Sequence, residues 1–340
     1  MEARQVDALP EDKGWQYEPK WDGFRCLARR SGGKVELIGR SGKSLSRYFP
    51  EMVEALAAVK HKRFVLDGEL VIPVGPNLSF EALQMRLHPA ASRIQRLAAK
   101  TPSLLIAFDF LEDEKGRDMR AEPLSGRRAT LERFFTALGD VEGLRLSPRT
   151  TRLADARKWL SRAGGGSLDG VVAKRLDGPY RAGERDMLKI KNLRSADCVV
   201  GGFRYATATT GGKKEVSSLL LGLYNQAGLL DHVGFTSALD GLDRPALTAM
   251  LEKLKGSGFT GDAPGGPSRW STERTSQWEP VKPRLVVEVR YDHVTGRRFR
   301  HGTGFLRWRP DKAPRDCKFD QLVQEAPPSR VLRLLKTKRA

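Results

Sequence analysis

The sequence predicts an α+β fold of two domains. Mixed, largely antiparallel sheets with helices between them occupy residues 1–194, and a smaller β-rich barrel occupies residues 195–340 and runs into a basic tail. Three observations carry this. Strand-like apolar runs alternate with helical stretches as far as Arg194. Beyond Ser195, short β-rich segments separated by turn residues take over. A chain of 340 residues also exceeds the roughly 150 of an average domain.

In chain order, Trp15 to Lys20 is a short extended run, followed by the turn Trp21-Asp22-Gly23. Phe24 to Arg29 and Val35 to Ile38 form a hairpin through Ser31-Gly32-Gly33-Lys34. Pro50 to Val59 has helical spacing, with Met52, Leu56 and Val59 on one face. Phe64 to Ile72 is an apolar strand interrupted by Asp67-Gly68-Glu69. Phe80 to Arg86 and Ala90 to Ala99 read as helices, and Leu104 to Leu111 as a buried strand. Pro123 opens a helix that Gly139 stops, and Ala154 to Ala163 ends at a run of three glycines. Gly170 to Lys174 and Met187 to Lys191 are short strands. The second domain holds Val199 to Tyr205, Ser217 to Tyr224, Leu229 to Phe235, Leu285 to Val294 and Thr303 to Arg309, with an amphipathic helix, Arg244 to Lys255, among them. Five strands and one helix suit a barrel of the OB type. Gly256 to Ser268 reads as a loop, and Pro327 to Ala340 as a basic tail.

Lys plus Arg number 60 against 41 Asp plus Glu, a formal charge of +19, which points to a polyanionic partner such as nucleic acid. Apolar residues at 39% exclude disorder throughout. No apolar run approaches the roughly 18 residues of a membrane span, and Met1 to Lys13 lacks the apolar core of a secretory signal. Three distant cysteines, Cys26, Cys198 and Cys317, argue against a disulfide framework or a cysteine zinc site and fit a reducing cytoplasm.

Six short motifs carry charge in positions that a core would not choose. Lys20-Trp21-Asp22-Gly23 puts a lysine at a strand end with Arg25 nearby; cations around it disfavour its ammonium form, and a neutral amine is a nucleophile toward phosphorus. By itself the motif reads first as a hydrated turn with a surface lysine. In Leu66-Asp67-Gly68-Glu69-Leu70, alternation puts both acids on one face, for a salt bridge to a neighbouring strand or for a ribose or metal contact. Phe108, before Asp109, either fills a core or stacks on a base. Asp169-Gly170-Val171-Val172-Ala173-Lys174 begins with an acid and ends with a lysine. Lys189 and Lys191 share a strand face and repel each other without an anion such as a triphosphate between them. Arg309-Pro310-Asp311-Lys312 closes the β-rich part.

Together, in this order, the six motifs resemble the covalent nucleotidyltransferase superfamily, and specifically the ATP-dependent DNA ligases. The resemblance runs from about residue 14 to residue 320. Glu18-Pro19-Lys20-Trp21-Asp22-Gly23-Phe24-Arg25, with Leu285 to Val289 and Phe305-Leu306-Arg307, is most similar to the compact bacterial C and D types; with no room for polymerase or nuclease modules, the C type is nearer. The resemblance implies a nucleotidyltransferase (adenylation) domain followed by an OB-fold β-barrel. It implies that Lys20 takes AMP from ATP as a lysyl-AMP, that AMP passes to the 5′-phosphate of a nick, and that the 3′-hydroxyl then seals it. Glu18 matches the contact to the adenine amino group and Phe108 the residue stacked on adenine. Arg25 and Arg40 match arginines on the ribose and nick phosphate. Glu69 matches a ribose and metal contact, and Asp169 a second metal-side acid, one methylene shorter than the usual glutamate. Lys189 and Lys191 match lysines on the α-phosphate. Arg309 and Lys312 match a motif that swings over the site on a hinge expected near Arg194 to Asp197.

The expected ion is Mg²⁺ or Mn²⁺, since hard carboxylate and phosphate oxygens suit it. With no separate N-terminal DNA-binding domain in evidence, DNA grip is expected from Arg40 and from the loop Arg204 to Glu215 with Lys213 and Lys214. The implied partner is nicked double-stranded DNA. Repair proteins such as an end-binding protein or a repair polymerase fit the same picture, with the enzyme acting as a monomer in the bacterial cytosol or nucleoid. Two other readings stay open: an RNA ligase or RNA-capping enzyme, and a non-catalytic OB-type nucleic-acid binder. Glu18 as an acceptor favours adenine over guanine, and Lys20, Glu69, Lys189 and Lys191 are all in place for catalysis.

Overall fold

The computed structural model describes residues 1–75, 77–163, 168–206, 214–265, 277–300 and 302–322. The chain divides into two compact units, Met1–Asn192 and one that starts at Leu193.

The first unit is built on two sheets. One has four strands in the order β1 (Ala3–Gln5), β9 (Met187–Ile190), β8 (Leu168–Arg175), β2 (Trp15–Trp21). The other has five, in the order β4 (Lys34–Gly39), β3 (Phe24–Ser31), β5 (Arg63–Val71), β6 (Leu104–Glu112), β7 (Leu144–Leu146). Helices α1 (Pro50–Ala58) and α4 (Leu124–Leu138) cover the five-stranded sheet, burying Met52, Leu56, Leu131 and Phe134 with Phe64, Leu66 and Phe110. Helix α5 (Leu153–Ser161) closes a second core through Ala156 and Trp159, packed with Trp21, Val171 and Ile190. Two further helices, α2 (Phe80–Met85) and α3 (Ala91–Lys100), lie between β5 and β6 in the chain. Burial of these apolar faces holds the sheets; each Leu or Phe sealed in this way contributes about 1.5 to 3 kcal/mol.

The second unit is a β-barrel. Strand β10 (Arg194–Tyr205) pairs with β11 (Val216–Tyr224), β11 with β12 (Leu230–Ala238), and β12 in parallel with β14 (Thr303–Trp308); β14 pairs with β13 (Val286–Tyr291), and β13 returns to β10. The five strands therefore pair in a closed circuit, and helix α6 (Arg244–Lys253) falls between the third and fourth. Asp243 caps that helix by accepting from the Ala246 N–H at 3.1 Å. This is the expected OB-type arrangement, filled by Val199, Phe203, Leu219, Leu221, Val233 and Val287.

Arg194 to Asp197, near which a hinge was expected, are strand residues, Arg194 opposite Tyr291 and Asp197 opposite Glu288. The stretch alternates outward polar and inward apolar residues, which is how a half-exposed strand begins. The residues outside strand are 191–193. Lys213 and the tail Pro327 to Ala340 lie outside the described residues. All three cysteines are buried and free. Among the described residues, no helix is long and apolar enough to cross a membrane.

Candidate active site

A cavity of about 770 Å³ in the first unit is lined by residues from both sheets, among them Glu18, Lys20, Arg25, Arg40, Glu69, Phe108, Lys174 and Lys189. The strands place these side chains. Lys20 lies one residue before the end of β2 and stands opposite Gly170 of β8. The glycine after Asp169 is obligatory: its φ is +151°, and a Cβ there would meet the Ile190 carbonyl at 2.0 Å. Gly23 is closed in the same way, its Cβ position being 2.2 Å from the Leu70 carbonyl. At both Asp-Gly turns, Asp22-Gly23 and Asp169-Gly170, the missing side chain lets a neighbouring backbone carbonyl approach closely.

The cations of the site are held by carboxylates. Lys20 Nζ donates to Asp169 Oδ2 at 2.5 Å, and Lys191 Nζ lies 3.3 Å from the same oxygen. The cationic surroundings expected for Lys20 are thus balanced by an acid. Arg25 donates to both oxygens of the fully buried Asp67, at 2.9 and 2.5 Å, and Tyr180 donates to Asp67 at 2.8 Å. Burial alone would lower the Arg25 pKa, but Asp67 overrides it and raises it. Arg40 is largely exposed and pairs with Glu2 at 2.8 Å. Buried Glu18 accepts from Lys174 at 2.9 Å and from Gln16 at 2.7 Å. Phe108 has Lys174 Nζ 4.6 Å and Arg25 Cζ 5.4 Å from its ring centroid.

Glu69 and Lys189 are also displaced from their ordinary ranges. Burial pushes the Glu69 carboxyl up to about 8 against the pull of Lys20 and Arg25. Burial, then the like charges of Lys20 and Lys191, lower the Lys189 ammonium. Such opposed displacements in one cleft mark a functional site.

Of the sequence-derived site residues, Glu18, Lys20, Arg25, Arg40, Glu69, Phe108 and Lys189 line the cavity; Asp169 is joined to it through Lys20, and Lys191 through Asp169. Arg309 and Lys312 belong to the second unit. There Arg309 donates to both oxygens of Asp197, at 2.9 and 3.1 Å, and to Asp311; the Lys312 N–H donates to the Arg309 carbonyl at 3.2 Å. Lys214, also in that unit, is exposed with Nζ 5.5 Å from the Tyr205 ring. The sequence singles out Asp67, for a salt bridge to a neighbouring strand, and Lys174, at the end of a motif, without naming their partners Arg25 and Glu18; Tyr180, Glu2 and Asp197 were missed outright.

The fold and site define a nucleotidyltransferase. Residues 3–191 match the ATP-dependent DNA ligase domain, and residues 212–312 match the ATP-dependent DNA ligase C-terminal region. The chain belongs to the ATP-dependent DNA ligase family and is a ligase enzyme. Within that family it is of the compact bacterial C type. It is 44% identical to DNA ligase C2 of Mycolicibacterium smegmatis over 96% of this chain and 94% of that protein. It is 42% identical to DNA ligase C of Mycobacterium tuberculosis over 95% and 92%. A solved Lig E DNA ligase, 18% identical, shares the fold with a TM-score of 0.56 over 91% of this chain and all of that one.

Proposed function

We propose that this ligase seals nicks in double-stranded DNA that carry 3′-hydroxyl and 5′-phosphate ends, through a lysyl-AMP on Lys20 and then a DNA-adenylate. The observation that supports it is the convergence of Lys20, Lys189, Glu69, Glu18 and Phe108 on one cavity large enough for a nucleotide. Lys20 Nζ, freed of a proton, attacks the α-phosphorus; the N–P bond forms as the bond to the bridging oxygen breaks and pyrophosphate leaves. Asp169, 2.5 Å away, accepts the amine's hydrogen bond and aims the nitrogen. Lys189 and Lys191 neutralise the α-phosphate, and Arg25 and Arg40 hold the ribose and the nick phosphate. Phe108 stacks on adenine while Glu18 accepts from its amino group. Phosphoryl transfer asks the protein mainly for positioning and charge. Arg309 and Lys312 orient pyrophosphate in the first step, and Lys214 contributes to the DNA contact.

A divalent ion fits the donor set. Among the described residues no group of three or more His, Cys, Asp or Glu is placed to hold a metal unaided. Mg²⁺, however, is commonly held by one or two carboxylates together with phosphate oxygens. Glu69 and Asp169 are the carboxylates that would hold Mg²⁺ or Mn²⁺ as it arrives with the nucleotide, and the ion would offset charge on the phosphates. The enzyme works as a monomer in the cytosol, in DNA repair, alongside an end-binding protein or a repair polymerase.

Incubation with labelled ATP or GTP, followed by nicked duplexes with DNA or RNA strands at the break, tests this reading. Adduct with ATP and closure of the DNA nick are expected. Transfer of GMP, or sealing confined to RNA, overturns it.

A further inference from the structure

Lys174 ends β8 one residue early, opposite Gln16 of β2, while Glu18 lies two residues along β2 on the same face. All three are buried, at 4%, 0% and 2% exposure, yet Glu18 and Lys174 line the nucleotide cavity. Lys174 Nζ donates to one carboxylate oxygen of Glu18 at 2.9 Å, and Gln16 Nε2 donates to the other at 2.7 Å. The same ammonium sits 4.6 Å from the Phe108 ring centroid. The carboxylate, its counter-charge and the aromatic face are thus one packed cluster at one end of the cavity.

We infer that Lys174 is a positioning residue that fixes the purine selectivity of this enzyme by holding Glu18, an acceptor, at the exocyclic position of the base. This rests on the reading of Glu18 as the contact to the base. An ionised carboxylate only accepts hydrogen bonds, so it pairs with an exocyclic amino group and is repelled by a carbonyl at that ring position. With Lys174 removed, Glu18 loses its directly bonded counter-charge; Gln16 still donates to it and Arg149 still acts on its charge, but the ammonium that aims the carboxylate is gone. An acceptor no longer held at the exocyclic position discriminates less between an amino group and a carbonyl.

ATP and inosine triphosphate isolate the effect, because the latter carries a carbonyl where adenine has its amino group. The readout is the ratio of kcat/KM for enzyme adenylation or inosinylation by each. Glu18→Gln provides the reference, since an amide both donates and accepts: the ATP preference should fall by about tenfold or more. Lys174→Met should produce a fall of similar size, mainly through a raised KM for ATP. In the double variant Glu18→Gln/Lys174→Met, loss of Lys174 should lower the preference no further. Lys174→Gln, which keeps a donor without the charge, should behave as Lys174→Met and decides the matter if that variant does not fold. Equal losses toward both triphosphates on changing Lys174 would reduce it to a support of the fold and overturn the inference. A preference unmoved by Glu18→Gln would overturn the base-contact reading itself. A fall with Glu18→Gln but not with either Lys174 variant would overturn the role of Lys174 alone.

Discussion

Replacing Glu69 by glutamine should stabilise the ligand-free protein, and only at alkaline pH. Glu69 holds its proton to about pH 8 because burial disfavours the carboxylate more than Lys20 and Arg25 favour it. Its ordinary value is 4.5. The folded state therefore binds this proton more tightly than the unfolded chain, and stability is lost as pH rises from 4.5 through 8. Each tenfold in proton affinity is worth about 1.4 kcal/mol, so the full penalty is about 4 to 5 kcal/mol, reached by pH 9, against about 1 kcal/mol at pH 5. Glutamine matches the neutral acid in shape and carries no such penalty. For a unit of this size, about 2 to 4 °C of Tm accompany each kcal/mol. Thermal unfolding without nucleotide or divalent ion should show Glu69→Gln and the native protein nearly together at pH 5 and about 10 °C apart at pH 9, the variant higher. A gap that does not change with pH, or a variant less stable at pH 9, would refute the argument. The same variant should lose nucleotide transfer, the usual exchange of stability for function at a strained site.

Three further outcomes follow from the same geometry. Because burial and the neighbouring Lys20 and Lys191 lower the Lys189 ammonium, ATP affinity should decline with rising pH before the ordinary lysine range, and Lys189→Arg should remove that decline; identical binding profiles for the two proteins would count against it. Arg309→Ala should slow self-adenylation well beyond its effect on sealing a pre-adenylated nick, and equal losses in the two assays would sink the role given to that motif. Arg127 and Asp109 form a buried bidentate pair at 2.8 and 3.0 Å, so Arg127→Met should cost about 3 to 5 kcal/mol of stability and Arg127→Met/Asp109→Asn much less; a denaturant titration in which the double variant is the weaker one would contradict this.

Much of the site was legible because strand alternation and motif order are local or ordinal properties. Glu18 and Lys20 share a strand, and the Asp-Gly turns announce close backbone approach. Charge pairing was not legible. Lys20 finds Asp169 149 residues away, Glu18 finds Lys174 156 away, and Arg25 finds Asp67 42 away; each pair joins neighbouring strands of one sheet, and nothing in the chain ranks these partners until those strands pair. Phe108, which a count of buried aromatics would assign to a core, lies half-buried at the cavity instead. The barrel was read from five strands and a helix, but its first strand was placed too late. Ser195 and Asp197 face outward, so the start of β10 looked like a change of composition instead of an amphipathic strand. Strand β1 was missed because three residues pairing in parallel with β9 leave no periodic signature.

The chemistry turns on which nitrogen carries the nucleotide. Peptide mass mapping after incubation with ATP and Mg²⁺ should place one adenylyl group on Lys20, retained through denaturation and released by acid, as a phosphoramide requires. It should be absent from Lys20→Ala and discharged by a nicked duplex. An adenylyl group on another residue, or one that persists in Lys20→Ala, would contradict it.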